Sequence, residues 1–443
     1  GSSRFAGVFL SSGNGNTVLF ENSTIRLANA LTARYAHGIR LATNFDGALN
    51  VTGSTFEPSS APSNGDMPDL DEFGWIEIEA GTGNSLSVTV ENSTLARAIT
   101  ANSDSQAFNS YGINVGRLDA DVTITGNTVW ELENPANDDS VGLGISITSN
   151  GTVVVQDNTV NMAPDDGNET AIGVVASNST ATSPQVSGNR IRSQIAPSGA
   201  GDSSGIFVSG EGNLTPAFNI HNNVVTGAGS SANRFDGIYL ANVNAVVRHN
   251  TVVNNSTGNP AGLVSIEDIF GQLTGIQVEN NILMAGAGAG TTDAIGVGAS
   301  NGSEPAQLDN NVFNGVADNV VTYNTTAGWE YNVVLNPDLD TAANWHQPTN
   351  FTPYRVRAGG KHLAATITTD INGATRTIGN GVTVGAYEHD TTWNLGEIVF
   401  YGEYNTDQGI FTSDLVDDGT AVVLQNEVLR VTDNDSFYLN SPD

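Results

Sequence analysis

The sequence predicts an all-β protein: a right-handed parallel β-helix of about ten coils, each with three short strands, followed by a small C-terminal β appendage. Two observations predict this fold. A short motif recurs at intervals near 31 residues, and the residues between its copies alternate between apolar and polar. Alternation with a period of two is typical of strands, whereas amphipathic helices space their apolar residues by three and four. A fixed period of this length indicates stacked repeats.

The most regular strand of each coil starts with a small polar residue, then any residue, then an aliphatic residue or Phe. The first residues of these motifs are Ser23, Ser54, Ser93, Asn127, Asn158, Asn189, Asn223, Asn250, Asn281 and Asn311. Stacked coils would bring the seven Asn side chains to about 4.8 Å from each other, where each amide can donate to the next carbonyl. We predict an internal Asn ladder at one bend. The alternative is that Asn only tolerates a left-handed turn conformation at this position.

The other two strands of a coil are equally short. One follows a Gly, as in Gly112–Val115 and Gly144–Ile147, and the other is a run such as Val122–Ile124 or Val153–Val155. Each coil would expose half of its apolar residues to the coils above and below it. No single coil is then stable alone, and the core is continuous along the axis.

Acidic residues precede the Gly-led strand in many coils and form the candidate metal ligands. They are Asp66, Asp69, Asp71, Glu72, Asp138, Asp139, Asp202, Asp236 and Asp293. Stacking would align many of them along one edge, where neighbouring carboxylates repel each other unless a counterion is present. Oxygen-rich turns suit Ca²⁺, so Ca²⁺ is the candidate cofactor. The alternative is a solvated acidic face that keeps the protein soluble.

Composition excludes several classes of protein. The 443 residues include 47 Asp and Glu but only 15 Lys and Arg, which gives a net charge of −32. Nucleic acid is a poor partner for such a charge, because phosphate binding needs clustered cations. No apolar run is long enough for a transmembrane helix. The absence of Cys excludes disulfides and thiol catalysis.

We divide the chain into three parts. Residues 1–325 carry the coils, residues 326–390 form a closing segment, and residues 391–443 form the β-rich appendage or the start of a further module. In the last part, runs at 398–401, 421–424 and 428–431 have the composition of strands separated by turns.

Residues 5 to 389 resemble the secreted bacterial right-handed β-helix repeat proteins, which have the pectate-lyase-like fold. The most specific part is Asn336–Leu339, then Asp370–Arg376, then Gly381–Glu388, which is similar to the closing signature of members with a choice-of-anchor tail. The resemblance implies the β-helix fold and an extracellular or cell-surface location.

No catalytic residue stands out from the repeat, so we expect a structural or adhesive rod of a microbial surface. The pattern starts near residue 5 and leaves little room for a cap, so self-association into filaments or a neighbouring module of a longer protein would cover that end. The alternative function is a polysaccharide lyase or glycoside hydrolase acting on acidic polysaccharide. Its conceivable bases or uronate clamps are Arg190, Arg192, Arg234 and Arg248. Exposed Trp residues could also bind a surface polysaccharide.

Overall fold

A computed structural model describes most of the repeat region and parts of the rest. The described residues are 4–12, 15–27, 35–59, 72–81, 85–96, 109–130, 141–162, 168–176, 183–195, 203–210, 217–229, 235–255, 262–268, 273–286, 293–297, 306–316, 332–340, 345–349, 352, 356, 360, 367–376, 382–388, 402–405 and 410–413.

Three parallel sheets run along one axis, and consecutive strands of the chain belong to different sheets. Sheet A contains β1 (Arg4–Leu10), β4 (Tyr35–Leu41), β7 (Glu72–Gly81), β10 (Asn109–Arg117), β13 (Val141–Thr148), β16 (Asn168–Ala176), β19 (Ser203–Gly210), β22 (Phe235–Ala241), β25 (Gly262–Glu267) and β28 (Asp293–Val297). Sheet B contains β2 (Thr17–Glu21), β5 (Gly47–Thr52), β8 (Leu86–Glu91), β11 (Ala120–Thr125), β14 (Val153–Gln156), β17 (Gln185–Ser187), β20 (Phe218–His221), β23 (Ala245–Arg248), β26 (Gln277–Glu279) and β29 (Gln307–Asp309).

Sheet C is longer by one strand. It contains β3 (Thr24–Leu27), β6 (Thr55–Pro58), β9 (Thr94–Leu95), β12 (Thr128–Trp130), β15 (Thr159–Asn161), β18 (Arg190–Ile195), β21 (Val224–Gly229), β24 (Thr251–Asn254), β27 (Ile282–Ala285), β30 (Val312–Asn314) and β31 (Val333–Val334). Each strand pairs in parallel with the equivalent strand of the coils before and after it. The all-β parallel solenoid predicted from the repeat is therefore confirmed.

The core is one continuous apolar column inside the three sheets. Equivalent residues of successive coils stack on each other, as Ile113 does on Ile76 and Ile145, and all three are fully buried. Each coil thus covers the apolar residues of its neighbours, which explains why the alternating pattern repeats along the sequence.

A left-handed residue turns the chain between sheets B and C in every coil. Its backbone φ lies between 47° and 69° in Asn22, Gly53, Asn92, Gly126, Asp157, Gly188, Asn222, His249, Asn280 and Asn310. This residue stands one position before the predicted ladder position. The left-handed conformation therefore explains the preceding residue, and the ladder Asn residues need another explanation.

The closing segment, predicted at 326–390, begins within the solenoid and then covers its flank. Strand β31 continues sheet C by pairing with β30. Beyond it, Ile371, Ala386 and Tyr387 pack on Val224, while Val356 and Val384 pack in a cluster with Ile282 and Val312. The side chains of Val224, Ile282 and Val312 belong to sheet C, so the segment covers the outer face of the later strands of that sheet.

Only one element is described within residues 391–443. Strands β32 (Gly402–Asn405) and β33 (Ile410–Ser413) form an antiparallel pair. The strands predicted at 398–401, 421–424 and 428–431 lie outside the described residues. Within the described part of the chain, no helix combines the length and apolar character needed to cross a membrane.

Candidate functional site

All seven Asn residues of the predicted ladder lie in one buried row at the start of sheet C. In the six after Asn127, the side-chain Oδ1 accepts from the backbone N–H and the Nδ2 of the preceding Asn, as Asn158 does from Asn127 at 3.0 Å each. The Nδ2 of each also donates to a backbone carbonyl of the previous coil, as Asn127 does to Val90 at 2.8 Å. The side chains of the row are buried and hydrogen-bonded to one another and to the backbone, so the role of the row is structural.

The row extends beyond the seven predicted members. Asn332 continues it, because its Oδ1 accepts from the N–H and Nδ2 of Asn311 at 3.0 and 2.9 Å. At the other end the hydroxyl groups of Ser54 and Ser93 take the place of the amide, and Ser93 N–H donates to Asn127 Oδ1 at 2.9 Å.

Among the nine predicted metal ligands, three lie in the described part of the chain. These are Glu72, Asp236 and Asp293, whereas Asp66, Asp69, Asp71, Asp138, Asp139 and Asp202 lie outside it. Asp236 is buried and accepts a hydrogen bond from the Ser265 hydroxyl. Glu72 pairs with Tyr35 and Asn109 on the two neighbouring strands. It therefore lies in a different row of sheet A from Asp236 and Asp293. The three described acids therefore form no continuous edge, and Ca²⁺ at all nine residues stays a prediction.

A different group of side chains comes together around Glu72, on the outer face of sheet A. His37, Glu72 and Glu77 each place one nitrogen or oxygen atom within 4.8 Å of the others. Nε2 of His37 lies 3.7 Å from Oε1 of Glu72. His37 is 1% exposed and Glu77 is 8% exposed, so the cluster is largely removed from water.

The strands β4, β7 and β10 position this cluster by their register. His37 stands opposite Gly74, and Gly74 stands opposite Tyr111 on the other side. A Cβ on Gly74 would lie 3.3 Å from Nδ1 of His37, so the absence of a side chain there leaves the space between His37 and Tyr111 open on the sheet face. Glu72 and Glu77 flank this space along the same strand.

The electrostatics of the cluster favour the protonated form of Glu77. Burial raises the pKa of Glu77 to about 7; the hydrogen bond from Asn114 Nδ2 at 3.0 Å acts in the opposite direction, and Glu72 raises it further. Burial and the same two acids also raise the pKa of the Tyr111 hydroxyl. Two carboxyl groups beside a histidine can exchange a proton or accept a cation.

Charged groups continue along the same face. Arg40 forms an ion pair with Glu79, whose other oxygen accepts from the N–H of Thr43 at 3.3 Å. The buried guanidinium of Arg117 donates to the carbonyl of Thr43. These groups fix the bend at the end of β4 and border the cluster on one side.

A second polar region lies where the closing segment meets the solenoid. A cleft of about 350 Å³ there is lined by Asp157, His221, Asp370 and Asn372, among others. Burial lowers the pKa of His221 to about 4 and that of His249 well below its ordinary value, and Arg376 lowers both further. Oxygens of Asp370 accept from the backbone N–H groups of the adjacent turn and of Glu388, so Asp370 holds the turn together.

Arg376 joins this segment to the solenoid. Its guanidinium donates to Asn222 Oδ1 at 2.7 Å and to Glu388 Oε2 at 3.2 Å, and it also caps three backbone carbonyls of the segment. Burial lowers the pKa of Arg376 to about 10, and the neighbouring Glu388 opposes that shift.

The arginines considered as bases have structural partners where they are described. Arg190 donates to Asn372 at 2.7 Å, Arg192 lies 3.9 Å above the ring of Trp345, and Arg248 donates to Glu279 at 2.7 Å. Arg234 lies outside the described residues.

Trp75 is a core residue, 1% exposed, whose indole N–H donates to the carbonyl of Ala96.

Sequence reasoning found Glu72 but missed His37 and Glu77. Both lie on strands whose alternation marks them as outward-facing, and His37 directly precedes the Gly38 that opens a Gly-led strand. Three residues from two strands are joined only by the register of β4 on β7, which no spacing in the sequence reveals.

No protein-family model, no curated protein and no solved structure matches this chain.

Proposed function

We propose that this protein is a structural or adhesive rod that works outside the cell and assembles end to end by parallel strand addition. The observation that carries the proposal is the exposure of core-facing apolar residues at both ends of the stack. The continuous core and the hydrogen-bonded Asn row support a rigid scaffold, since they leave the coils no freedom to slide.

Among the described residues, no strand pairs with the outer edge of the first coil, and its core-facing side chains are partly exposed. Phe5 stands in the row of the buried Ala36 and is 38% exposed. Val18 and Phe20 stand in the rows of Leu49 and Val51, yet they are only partly buried. Within the described part of the chain these side chains pack against a coil on one side only, so another coil placed on them would bury apolar surface.

The other end of sheet C offers the matching surface. Val334 follows Phe313 in the inward row of sheet C and is 66% exposed. Ile25, at the first coil, occupies the same row and is half-buried. A second copy stacked head to tail would continue this row with the same strand direction, so the occupant that we propose for the open end is another copy of this chain.

At both ends of the stack, the strand edges that pair with no described strand present backbone groups in defined positions. Asn22 N–H donates to Thr52, and Asn16 accepts from Ala48, so the even-numbered residues of β2 face β5. In a parallel ladder alternate residues face opposite neighbours, which leaves the N–H of Leu19 on the open edge. By the same alternation, Val333 and Leu335 donate to β30, and the N–H of Val334 faces outward.

Two proline variants test the assembly. Leu19→Pro and Val334→Pro each remove one open-edge donor without removing a bond inside the solenoid, because Pro is tolerated at strand edges. Sedimentation velocity over a range of concentrations should show concentration-dependent polymers for the wild type and mainly monomers for each variant. An equimolar mixture of the variants should form dimers and nothing longer, since each supplies the end that the other lacks.

Leu19→Thr and Val334→Thr are the matched controls, because they make the same sites less apolar but keep the N–H. Both should still assemble. A wild type that stays monomeric at every concentration, with residues 391–443 intact, contradicts the assembly. Proline variants that assemble as well as the threonine controls contradict the strand-addition mechanism.

The second candidate is an enzyme acting on acidic polysaccharide. It is favoured by the pair Glu72 and Glu77, since two carboxyl groups with ligand atoms within 4.8 Å of each other, one with its pKa raised to about 7 by burial, suit general acid and base roles. Incubation with pectate, alginate and chondroitin separates the two functions. New reducing ends, or the absorbance of unsaturated uronate, would favour the enzyme, and the rod predicts neither.

The location and the acidic turns belong to the same proposal. The pectate-lyase-like resemblance and the choice-of-anchor-type closing signature support a secreted or cell-surface protein. We propose Ca²⁺ as the counterion of the predicted acidic turns, because their oxygen ligands suit it. Thermal melting with and without chelator tests this: a melting temperature that falls in chelator supports bound Ca²⁺, and an unchanged one argues against it.

A further inference from the structure

We propose that His37, Glu72 and Glu77 form a binding site for a divalent transition metal ion of the Zn²⁺ type. The inference is independent of the rod function, and of the acids proposed for Ca²⁺ it uses only Glu72. It rests on the convergence of three ligand atoms within 4.8 Å on two adjacent strands and on the open position of Gly74 between them.

The strand register makes the arrangement rigid. His37 on β4 stands opposite Gly74 on β7, so the imidazole reaches over a position that has no side chain. Glu72 lies two residues before Gly74 and Glu77 three residues after it, and both carboxyl groups turn towards the imidazole. Sites on strands hold ligands more accurately than sites on loops, so little rearrangement is needed to bring three ligands onto one ion.

The ligand types select the metal. An imidazole nitrogen with carboxylate oxygens suits Zn²⁺, Co²⁺ and related ions, whereas Ca²⁺ takes six to eight oxygen ligands and gains nothing from nitrogen. Two carboxylates and a neutral imidazole also balance the charge of one divalent ion. Three protein ligands leave one tetrahedral position for water, as in an open zinc site.

Asn114 serves as a supporting residue for the site. Its Nδ2 donates to Oε2 of Glu77 at 3.0 Å, which fixes that carboxyl group and leaves its other oxygen for the ion. Hydrogen bonds of this kind orient metal ligands and contribute to affinity.

Groups from three strands face Glu77. They are His37 and Arg40 from β4, Asn114 and Tyr111 from β10, and Glu72 from its own strand.

Titration of the full chain with Co²⁺ tests the site, because tetrahedral Co²⁺ gives visible absorption bands that free Co²⁺ lacks. We expect one strong site per chain, displaced by Zn²⁺, and at least tenfold weaker binding of Ca²⁺. His37→Asn, Glu72→Gln and Glu77→Gln should each weaken Co²⁺ binding at least tenfold. Glu91→Gln, which changes a carboxyl group on sheet B, is the matched control and should leave binding unchanged.

Binding that survives all three substitutions, or a preference for Ca²⁺ over Co²⁺, overturns the proposal. If a variant fails to fold, competition on the wild type still decides: Co²⁺ bands that Zn²⁺ does not remove, or that Ca²⁺ removes as readily as Zn²⁺ does, contradict the site. Sedimentation of His37→Asn keeps this result separate from the rod function, since that variant should assemble like the wild type.

Discussion

Each ladder Asn satisfies four hydrogen-bonding groups at once. Nδ2 of Asn189 donates to the carbonyl of Val155 and to Oδ1 of Asn223, at 2.9 and 3.0 Å. Its Oδ1 accepts from the backbone N–H and Nδ2 of Asn158, both at 3.0 Å. No other side chain of this size has the two donors and the double acceptor that the position requires.

Removal of one amide should therefore leave several buried groups without partners. We expect Asn189→Ala to lower the free energy of unfolding by about 3 kcal/mol or more, since each unsatisfied buried group costs about 1–3 kcal/mol. Urea denaturation measures the change. Asn219→Ala, on the half-buried outer face of sheet B, is the control and should cost about 0.5 kcal/mol or less. Equal losses in the two variants would contradict a special role for the ladder.

The left-handed column predicts a second effect at single residues. Gly126 has a φ of 69°, and a Cβ there would lie 2.5 Å from Oδ1 of Asn92 in the preceding coil. Gly126→Ala should destabilise the protein by about 1–3 kcal/mol through the backbone conformation alone, and by more through this contact. Thermal unfolding measures the loss of stability. Gly151→Ala is unsuitable as a control, because its Cβ would lie 2.3 Å from the carbonyl oxygen of Ala120.

Gly373→Ala is the suitable comparison, because Gly373 has a φ of 81° but no atom within 4 Å of its Cβ position. Gly373→Ala therefore measures the loss of stability caused by the left-handed backbone conformation alone, without a steric contact of the new Cβ. A loss at Gly126 no larger than the loss at Gly373 would show that the Asn92 contact contributes nothing.

The sequence predicts the ladder residues but not its ends. Asn127 to Asn311 recur near the repeat length and share a tripeptide motif, so stacking follows from the period. Asn332 was missed because it follows Asn311 by only 21 residues. The residue before each ladder position was also missed as the turn residue, because Gly, Asn, Asp and His share the left-handed conformation without sharing a motif.

At the scale of elements, the closing segment shows what the repeat alone cannot reveal. The middle residue of the ladder tripeptide faces outward, and it is Thr in the earlier coils: Thr24, Thr55, Thr94, Thr128 and Thr159. In later coils it is Val224, Ile282 and Val312, which the closing segment covers, while Arg190 and Thr251 are the polar exceptions in this row. This change from Thr to aliphatic residues was a usable signal for a covering element, but it does not identify the segment that covers them.

Buried histidines make the docking of this segment sensitive to acid. The folded pKa of His221 and of His249 lies below the ordinary value near 6.5, and burial is the main cause. A histidine that stays neutral when folded but binds a proton when released favours the released state as the pH falls. The stability of docking is therefore fully present above about pH 6.5 and is lost progressively down towards pH 4.

Limited proteolysis of residues 360–388 measures this release. We expect cleavage to rise at least tenfold between pH 7 and pH 4.5, after correction for the protease's own pH profile. His249→Asn keeps a residue that tolerates a left-handed φ but removes one titrating group, so its cleavage should rise less steeply. Cleavage of wild type and variant that is independent of pH would exclude the histidines as the acid-sensitive groups.

At the scale of the whole molecule, each coil is supported only by its neighbours, so stability should fall towards an uncovered end. In repeat proteins the local free energy of opening follows the number of neighbouring repeats. The first coil, β1 to β3, has one neighbour and half-exposed core residues, whereas β10 to β15 have neighbours on both sides.

Hydrogen exchange measures this gradient on the monomeric Leu19→Pro variant. Amide protons of β5, which lie one coil inside, should exchange at least tenfold more slowly than those of β2. In wild-type assemblies the protection of β2 should rise towards that of β5. Uniform protection from β2 to β14 in the monomer would contradict the model of coils that open from the end.

The overall fold could be predicted because every coil has the same structural requirements. The sequence pattern is weak in one coil, but it recurs in each strand of the ten-stranded sheets and is recognisable as a whole. The cluster of His37, Glu72 and Glu77 occurs once, so no repetition marks it. Its existence depends on which outward residues of β4 and β7 share a register, and that information appears only in the three-dimensional structure.

Unequal resistance to mechanical force follows from the way in which the closing segment lies across the flank. Its contacts run from Arg190 on β18 to Val312 on β30, so it bridges several coils in parallel with their own hydrogen bonds. Pulling on the two ends would load the unbridged coils first. The early coils should unfold one after another. The bridged coils should unfold together, once the hydrogen bond from Arg376 to Asn222 breaks.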